Sequence, residues 1–428
     1  AVTLFPRSVP TSLHVAAPPR PRLPASRPIG RSATAGTMLL LDQEWCRAHM
    51  TKHWTSPVAL QQAWPSLLLI IGQKATFLLI ASSTPVGFNL MRWDSLWFRS
   101  VALLGYSAAG RDIPGAEKLS GLAFFPVYPL SARVLSNLTG IDIAVALIGL
   151  SWAGTLAAAW GIFAVGQHVA GRSAAVFLVG LWGAAPRSLV EVLAYSEGPF
   201  TALVAWCLYA LLTTRFRTAA ALGFIAGLTR GAALPMLGAI LLDALLQGLS
   251  AAKGKDQFLR RLLSSARGPI TVAASTGIGF ITFWLFVAWR TGRWDGYAAV
   301  QRAWGTTMEW PWLTVVDYLR EGAAADFIYG TFIAGVLLVY AGLIAAMVAA
   351  KERGVLTWYA ALMLLWTLCS RGYFHAKARF MVPAFTAWLP VARLLARLPW
   401  WASVAALAVF TSLGIWFDVA TYTSRYSP

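Results

Sequence analysis

The chain has 428 residues, of which 58% are hydrophobic and 12% are charged, and its formal net charge is +18. About a quarter of the residues of a soluble domain are charged, so this composition excludes an ordinary soluble protein. The basic residues are spread over short loops, with no stacking platform or basic domain, so membrane topology and anionic lipid headgroups explain them better than nucleic acid does.

The first 62 residues differ from the rest of the chain. They are rich in Pro, Arg and Ser and show no sustained periodicity, which predicts disorder. The sequence begins with Ala1, so Met38 and Met50 are candidate translation starts.

The remainder, residues 63–422, predicts an all-α polytopic membrane domain. Continuous apolar runs near 20 residues indicate helices, whereas a β-barrel would show alternating ten-residue blocks. We expect about eleven transmembrane helices, at 64–84, 141–167, 173–190, 198–213, 218–229, 231–247, 269–289, 327–349, 355–370, 380–397 and 401–420. The basic loop 248–268 indicates the inner side, which places residues 85–140 in an external loop.

The external loop contains the first candidate catalytic residue, Asp94. Segment 91–106 predicts an amphipathic helix whose apolar residues, among them Trp93 and Trp97, lie in the lipid interface. A carboxylate at a membrane interface is a functional candidate. The alternative is a helix N-terminal carboxylate that interacts with the helix dipole. Further along the loop, Pro126 and Pro129 prevent a regular helix over 121–130. This segment is either a structural turn or a place of contact with substrate.

Three later motifs carry charged candidates. Glu197 begins a span, where it is either a second acid or ion-pair partner, or part of a first turn capped by Ser196. Arg230 lies between two short apolar halves and needs an anion, unless it extends to the surface. His375, Lys377 and Arg379 form either a phosphate clamp or a basic loop that binds headgroups. With Asp94 and Gln301, all of these residues fall on the predicted external face.

These motifs, in this order, resemble the PIG-V family of mannosyltransferases over residues 64–420. The resemblance is carried by Trp93-Asp94, Phe124 to Pro129, Ala194 to Glu197 and Thr229 to Gly231, with support from Gln301 to Trp304 and Lys377 to Pro383.

The resemblance implies a GT-C glycosyltransferase fold, with inverting transfer of mannose from a polyprenyl- or dolichyl-phosphate-mannose donor to a glycolipid or glycan acceptor. It implies Asp94 as the general base, Glu197 as a residue that organises the site, and Arg230, Lys377 and Arg379 at the phosphate. Trp93, Tyr128, Gln301 and His375 are the remaining expected substrate-binding residues. No nucleotide site is needed, and no Asp-x-Asp pair is evident, so we expect no metal or cofactor.

Two alternatives remain open at this stage. A lipid or solute transporter is equally apolar, but it should show internal repeats and broken helices near the midplane. A transferase for another lipid-linked sugar, such as arabinose, would need the same kinds of residue, a carboxylate base and cations at the phosphate. The expected location is a bacterial cell membrane with the site outside, or the endoplasmic reticulum membrane with a lumenal site in a eukaryote.

Overall fold

A computed structural model describes residues 60–85, 88–113, 119–251, 258–318 and 327–423. The predicted disordered segment therefore lies outside the described residues, apart from its last three positions, which begin the first helix. Within the described ranges the chain is a helical membrane bundle, as the apolar pattern predicts.

The helices are numbered in chain order. They are α1 Leu60–Ser82, α2 Asp94–Leu104, α3 Val127–Thr139, α4 Ile143–Ala170, α5 Arg172–Gly183, α6 Glu197–Leu212, α7 Phe216–Gly227, α8 Ala233–Ala251, α9 Phe258–Thr291, α10 Gly296–Ala303, α11 Pro311–Asp317, α12 Phe327–Ala349, α13 Gly354–Cys369, α14 Lys377–Phe380, α15 Leu389–Leu395 and α16 Trp400–Thr423.

Nine of the eleven predicted spans coincide with one regular helix each. The predicted span 173–190 is helical only to Gly183, where α5 ends, and a 3₁₀ turn follows at Ser188–Glu191. Six helices in the described ranges are long and apolar enough to cross a membrane, namely α1, α4, α8, α9, α12 and α16. The predicted span 380–397 differs, because it divides into α14, a 3₁₀ turn at Phe385–Trp388 and α15. Pro383 and Pro390 lie in this segment, and proline cannot donate the backbone hydrogen bond that a continuous helix requires.

The segment predicted as an external loop, residues 85–140, contains α2, α3 and a short 3₁₀ turn at Gly121–Ala123. Pro126 is the residue that precedes α3, and Pro129 lies in its first turn, so both prolines occupy positions where no helical hydrogen bond is lost. A two-stranded antiparallel ribbon, β1 Thr307–Met308 with β2 Ser370–Arg371, joins the segment after α10 to the end of α13. Neither strand is apparent from the sequence.

Helix α2 packs differently from the prediction. Trp97 and Val101 are buried against protein, and the Trp97 ring stacks on Phe124 at 5.8 Å. Leu96 and Leu104 remain exposed. The expectation that all of the apolar side chains of α2 lie in lipid is therefore wrong, because α3 and the 3₁₀ turn cover one side of the helix.

Glycines allow close contact between the helices that carry the predicted site. A side chain at Gly154 of α4 would overlap the Pro199 backbone of α6, and one at Gly198 would lie 2.9 Å from the Ser151 carbonyl oxygen. A side chain at Gly227 of α7 would overlap the Thr276 carbonyl of α9. Small residues of this kind are the usual means of close helix packing in membranes. They fix the first turn of α6 and the end of α7.

Candidate active site

Four charged side chains from distant parts of the sequence meet at one end of the bundle. Arg379 Nη2 lies 2.7 Å from Asp94 Oδ2, and Arg379 Nε donates to Glu197 Oε1. Arg230 Nη1 lies 2.9 Å from Glu197 Oε2. The sequence predicted that these residues share a face, and the structure brings them into a continuous network. We call Asp94, Glu197, Arg230 and Arg379 the charged centre.

The two acids of the charged centre differ in accessibility. The Asp94 side chain is 27% exposed, and within the described residues its one ion pair, with Arg379, uses Oδ2. No hydrogen bond from the described residues reaches its Oδ1. The Glu197 side chain is 1% exposed and is enclosed between two guanidinium groups. Asp94 is therefore the acid that an incoming substrate can reach, and Glu197 holds the two arginines in place.

Side chains of the segment before α6 support the centre. The Arg379 guanidinium lies over the Tyr195 ring at 4.5 Å, and the Asp94 backbone N–H donates to the Tyr195 hydroxyl at 3.2 Å. The Ser196 hydroxyl accepts from Arg230 Nη1 at 2.9 Å. Its predicted role as a side-chain cap of α6 is therefore wrong, because the hydroxyl is turned to the arginine and makes no cap. Trp93, just before Asp94, has a φ of 52°, an unusual conformation that often occurs at functional sites.

Arg230 retains donors for a ligand. Both of its contacts with described residues run through Nη1, and its side chain is 17% exposed. Gln301 lies nearby on α10, where its amide donates to the Tyr297 hydroxyl at 3.1 Å. A side chain added at Gly231 would lie 3.6 Å from that hydroxyl. Gln301 and Tyr297 therefore form one wall beside Arg230.

Lys377 and His375 do not form the cationic clamp expected with Arg379. The Lys377 ammonium is buried and donates to the carbonyls of Thr367, at 2.7 Å, and Ser370. Burial, with a further contribution from Arg187, lowers the pKa of His375 to about 4, so its ring is neutral near pH 7. Of the three residues, Arg379 alone carries its charge into the centre. Lys377 instead fixes α14 to the end of α13.

Tyr128 and Trp93 also take positions different from those expected. Tyr128 is buried, and its hydroxyl donates to the Leu147 carbonyl at 2.7 Å, so it joins α3 to α4 and offers no hydroxyl to a substrate. Trp93 packs edge-on against Tyr422, and the Arg92 guanidinium lies 4.2 Å from its ring centroid. Trp93 therefore borders the charged centre without contacting its ion pairs.

A second buried network, which the motifs did not reveal, lies next to the charged centre. Lys74 Nζ is 2.8 Å from Glu191 Oε2, and Asp418 accepts from the Arg187 backbone N–H at 2.8 Å and from the Ser188 hydroxyl at 3.0 Å. Arg187 also donates to the carbonyl of His375. A lysine in the first span and an aspartate in the last were the available signals, because charges inside spans need partners.

An aromatic wall continues from the Arg230 side of the site. Phe125 lies 4.5 Å from Phe283 and 5.8 Å from Tyr297, measured between ring centroids. Phe280 lies 6.0 Å from Tyr297 and also faces Gly231. This wall is an apolar surface beside the charged centre.

Comparisons with known proteins identify the fold. No family model matches the sequence, and no curated protein matches it. A crystal structure of ArnT from Cupriavidus metallidurans bound to undecaprenyl phosphate has a TM-score of 0.52 and 16% identity, covering 84% of this chain and 65% of that one. The apo structure of ArnT has a TM-score of 0.51 and 18% identity, covering 86% of this chain and 67% of that one.

The chain thus spans about two thirds of the length of the ArnT structures. The likeness confirms the predicted fold class, an all-α membrane bundle of the GT-C type. At this level of identity it concerns the fold alone.

Proposed function

We propose that the protein is an inverting glycosyltransferase that transfers a sugar, most specifically mannose, from a polyprenyl-phosphate donor to a glycolipid or glycan hydroxyl. The observation that carries the proposal is the charged centre, in which the accessible carboxylate of Asp94 is paired with Arg379, and the buried Glu197 holds Arg379 and Arg230 together. The fold supports it, since ArnT, with a similar backbone, has been crystallised bound to undecaprenyl phosphate.

Asp94 is the proposed general base. Inverting transfer forms a bond from the acceptor oxygen to the anomeric carbon, while the bond from that carbon to the donor phosphate breaks. The acceptor hydroxyl proton must pass to a base, and a positioned carboxylate is suited to this task. The Arg379 contact orients Asp94 through Oδ2, so Oδ1 is the atom proposed to accept the proton.

Arg230 and Arg379 are the proposed partners of the departing phosphate. Negative charge grows on the phosphate oxygen as the glycosidic bond breaks, and preorganised cations stabilise that charge. A guanidinium suits a phosphate because its planar donors can bind two oxygens at once. Glu197 keeps the two guanidinium groups together, since their mutual repulsion would otherwise separate them. Lys377, bound to backbone carbonyls, is assigned to positioning of α14.

The aromatic wall is the proposed surface for the donor's lipid chain. Its rings adjoin Gly231, the residue after Arg230, so a phosphate at Arg230 would have an apolar surface directly beside it. Burial of isoprenoid carbon against aromatic rings is favourable by the same effect that folds protein cores. The choice of mannose rests on the resemblance of the sequence motifs to the PIG-V family.

The direct test uses membranes that contain the protein or its Asp94→Asn variant. They are incubated with polyprenyl-phosphate-mannose labelled in the sugar, and the labelled products are separated. We expect a product with the parent that is nearly absent with the variant. Equal labelling by both would overturn the role of Asp94. Labelling from a polyprenyl-phosphate-pentose in place of mannose would retain the reaction class and change the sugar.

A further inference from the structure

A basic cavity lies at the end of the bundle remote from the charged centre. It has a volume of about 350 Å³ and is lined by Val169, Lys351, Glu352, Arg353, Arg393 and Arg397, with Ala350. Its residues come from the end of α4, the connection between α12 and α13, and the end of α15 with the residues that follow. None of them takes part in the proposed transfer reaction.

Helix lengths separate this cavity from the charged centre by about one membrane thickness. Helix α13 begins at Gly354, beside the cavity, and ends at Cys369, beside the carbonyls that hold Lys377. Helix α4 contacts Tyr128 at Leu147 and reaches the cavity at Val169, which is about 33 Å away at about 1.5 Å per residue. That length is close to the thickness of the hydrocarbon core, roughly 30 Å.

The cavity is preorganised by one internal ion pair. Arg393 Nε lies 2.6 Å from Glu352 Oε1, and Arg393 Nη2 donates to the Val169 carbonyl at 2.7 Å. The Glu352 side chain is only 5% exposed, so its negative charge is neutralised by Arg393 and is not available to other cations. This pair ties α15 to α4 and to the connection before α13.

Three cations remain after that pair is counted. Lys351, Arg353 and Arg397 are exposed, and in the described ranges no carboxylate lies within 4 Å of any of them. Asp243 of α8 approaches from the far side of Gly354, where it offsets part of the Arg353 charge. Lys351 has a φ of 50°, which fixes an uncommon backbone turn at the cavity. The cavity thus presents an excess of positive charge.

Exposed apolar residues adjoin the cavity-lining arginines in the sequence. Leu394 follows Arg393, Leu398 follows Arg397, and Trp400 and Trp401 at the start of α16 are 78% and 64% exposed. Tryptophan is enriched at the level of lipid headgroups, which suits a position of this segment at the membrane–water interface. A ligand in the cavity would meet cations inside and hydrocarbon outside.

We propose that this cavity binds the phosphate of an anionic phospholipid, whose acyl chains lie along Leu394, Leu398 and the two tryptophans. Basic pockets between membrane helices bind such headgroups, because the phosphate gains several cationic partners without leaving the interface. Free phosphate is also an anion, but it gains nothing from the apolar residues beside the cavity. The arrangement therefore favours the lipid over the free anion.

The test measures thermal unfolding of the purified full-length protein in a neutral detergent, with phosphatidylglycerol, phosphatidylcholine or inorganic phosphate added. A ligand that binds the native state raises the unfolding temperature, and the stabilisation grows as RT ln(1 + [L]/Kd), so its concentration dependence reports the apparent affinity. We expect phosphatidylglycerol to stabilise the parent, and phosphatidylcholine and phosphate to have little effect. In Lys351→Gln/Arg353→Gln/Arg397→Gln the apparent affinity for phosphatidylglycerol should fall on the order of 100-fold.

Two control variants keep the test independent of net charge and of folding. Arg215→Gln/Arg217→Gln removes exposed charges after α6, outside the cavity, and should respond as the parent does. Arg353→Lys/Arg397→Lys keeps the charges and should retain most of the affinity. Equal loss in the Arg215/Arg217 control, or an unchanged response in the triple variant, would overturn the proposal. Stabilisation of the parent by inorganic phosphate as strong as that by phosphatidylglycerol would overturn the lipid assignment.

Discussion

Loss of charge at the two acids of the charged centre should affect different properties, turnover at Asp94 and stability at Glu197. Asp94→Asn and Glu197→Gln each keep the size of the side chain and remove one negative charge. Asp94 is 27% exposed and has one partner, whereas Glu197 is 1% exposed and lies between Arg379 and Arg230. We expect Asp94→Asn to reduce turnover with little loss of stability, and Glu197→Gln to reduce the stability of the fold.

The magnitudes follow from these contacts. A partly exposed ion pair such as Asp94–Arg379 contributes about 0–1 kcal/mol, while loss of a general base typically lowers the rate by about 100-fold or more. Breaking a buried pair leaves uncompensated charge and costs about 3–5 kcal/mol. Glutamine at 197 can still accept a hydrogen bond from Arg379, and Arg230 is partly exposed, so we expect a cost near the lower end, about 3 kcal/mol.

Two assays on the same preparations separate the roles. Mannose transfer from labelled donor is measured in proteoliposomes, and unfolding is followed thermally in detergent. Arg379→Lys serves as a control that preserves the positive charge but loses the guanidinium fork. If Asp94→Asn retains near-parent turnover, or if Glu197→Gln unfolds at the parent temperature, the assignment of one acid to catalysis and the other to support is wrong.

Three further changes test other parts of the structure. Gly154→Ala forces α4 away from the Pro199 backbone and should destabilise the protein by about 1–3 kcal/mol. Gly149→Ala, in the same helix but with open space around it, should instead raise the unfolding temperature slightly, because alanine favours a helix by about 0.5–1 kcal/mol over glycine. Lys74→Met should cost about 3–5 kcal/mol because Glu191 loses its partner. Lys74→Met/Glu191→Leu should recover part of that loss, since Lys74 also donates to the carbonyls of Gly183 and Ser188; no recovery would contradict the pairing. Because the pKa of His375 is lowered to about 4, its imidazole binds a proton more readily in the unfolded chain than in the folded protein. The free energy of unfolding should therefore fall as the pH drops from about 6.5 to 4. His375→Gln should flatten that part of the stability–pH profile.

The charged centre shows why motif reading partly succeeded. Asp94, Glu197 and Arg230 each stand next to a recognisable break in an apolar run, where a charge is costly without a partner. Their positions at span ends were enough to predict a shared face. Helix packing decided which of these charged residues contact each other. Gly154 and Gly198 bring α4 and α6 together, and this fixes the position of Glu197.

The segment 375–379 shows the limit of that reading. Three basic residues within five positions look equivalent in sequence. Lys377 and Arg379 are two residues apart on a helical turn, so their side chains diverge by about 200°. One therefore meets the carbonyls at the end of α13 and the other meets the acids.

The helical membrane class, most of the spans and the candidates for the charged centre follow from local sequence, because hydrophobic length and isolated charge are local properties. The pairing of Lys74 with Glu191 and of Arg187 with Asp418 depends on the tertiary structure, and the second pair lies 231 positions apart in the sequence. The tertiary structure also decided that Tyr128 is buried and that a basic cavity lies at the opposite end of the bundle. Such contacts depend on how helices remote in sequence pack, and no local pattern records that.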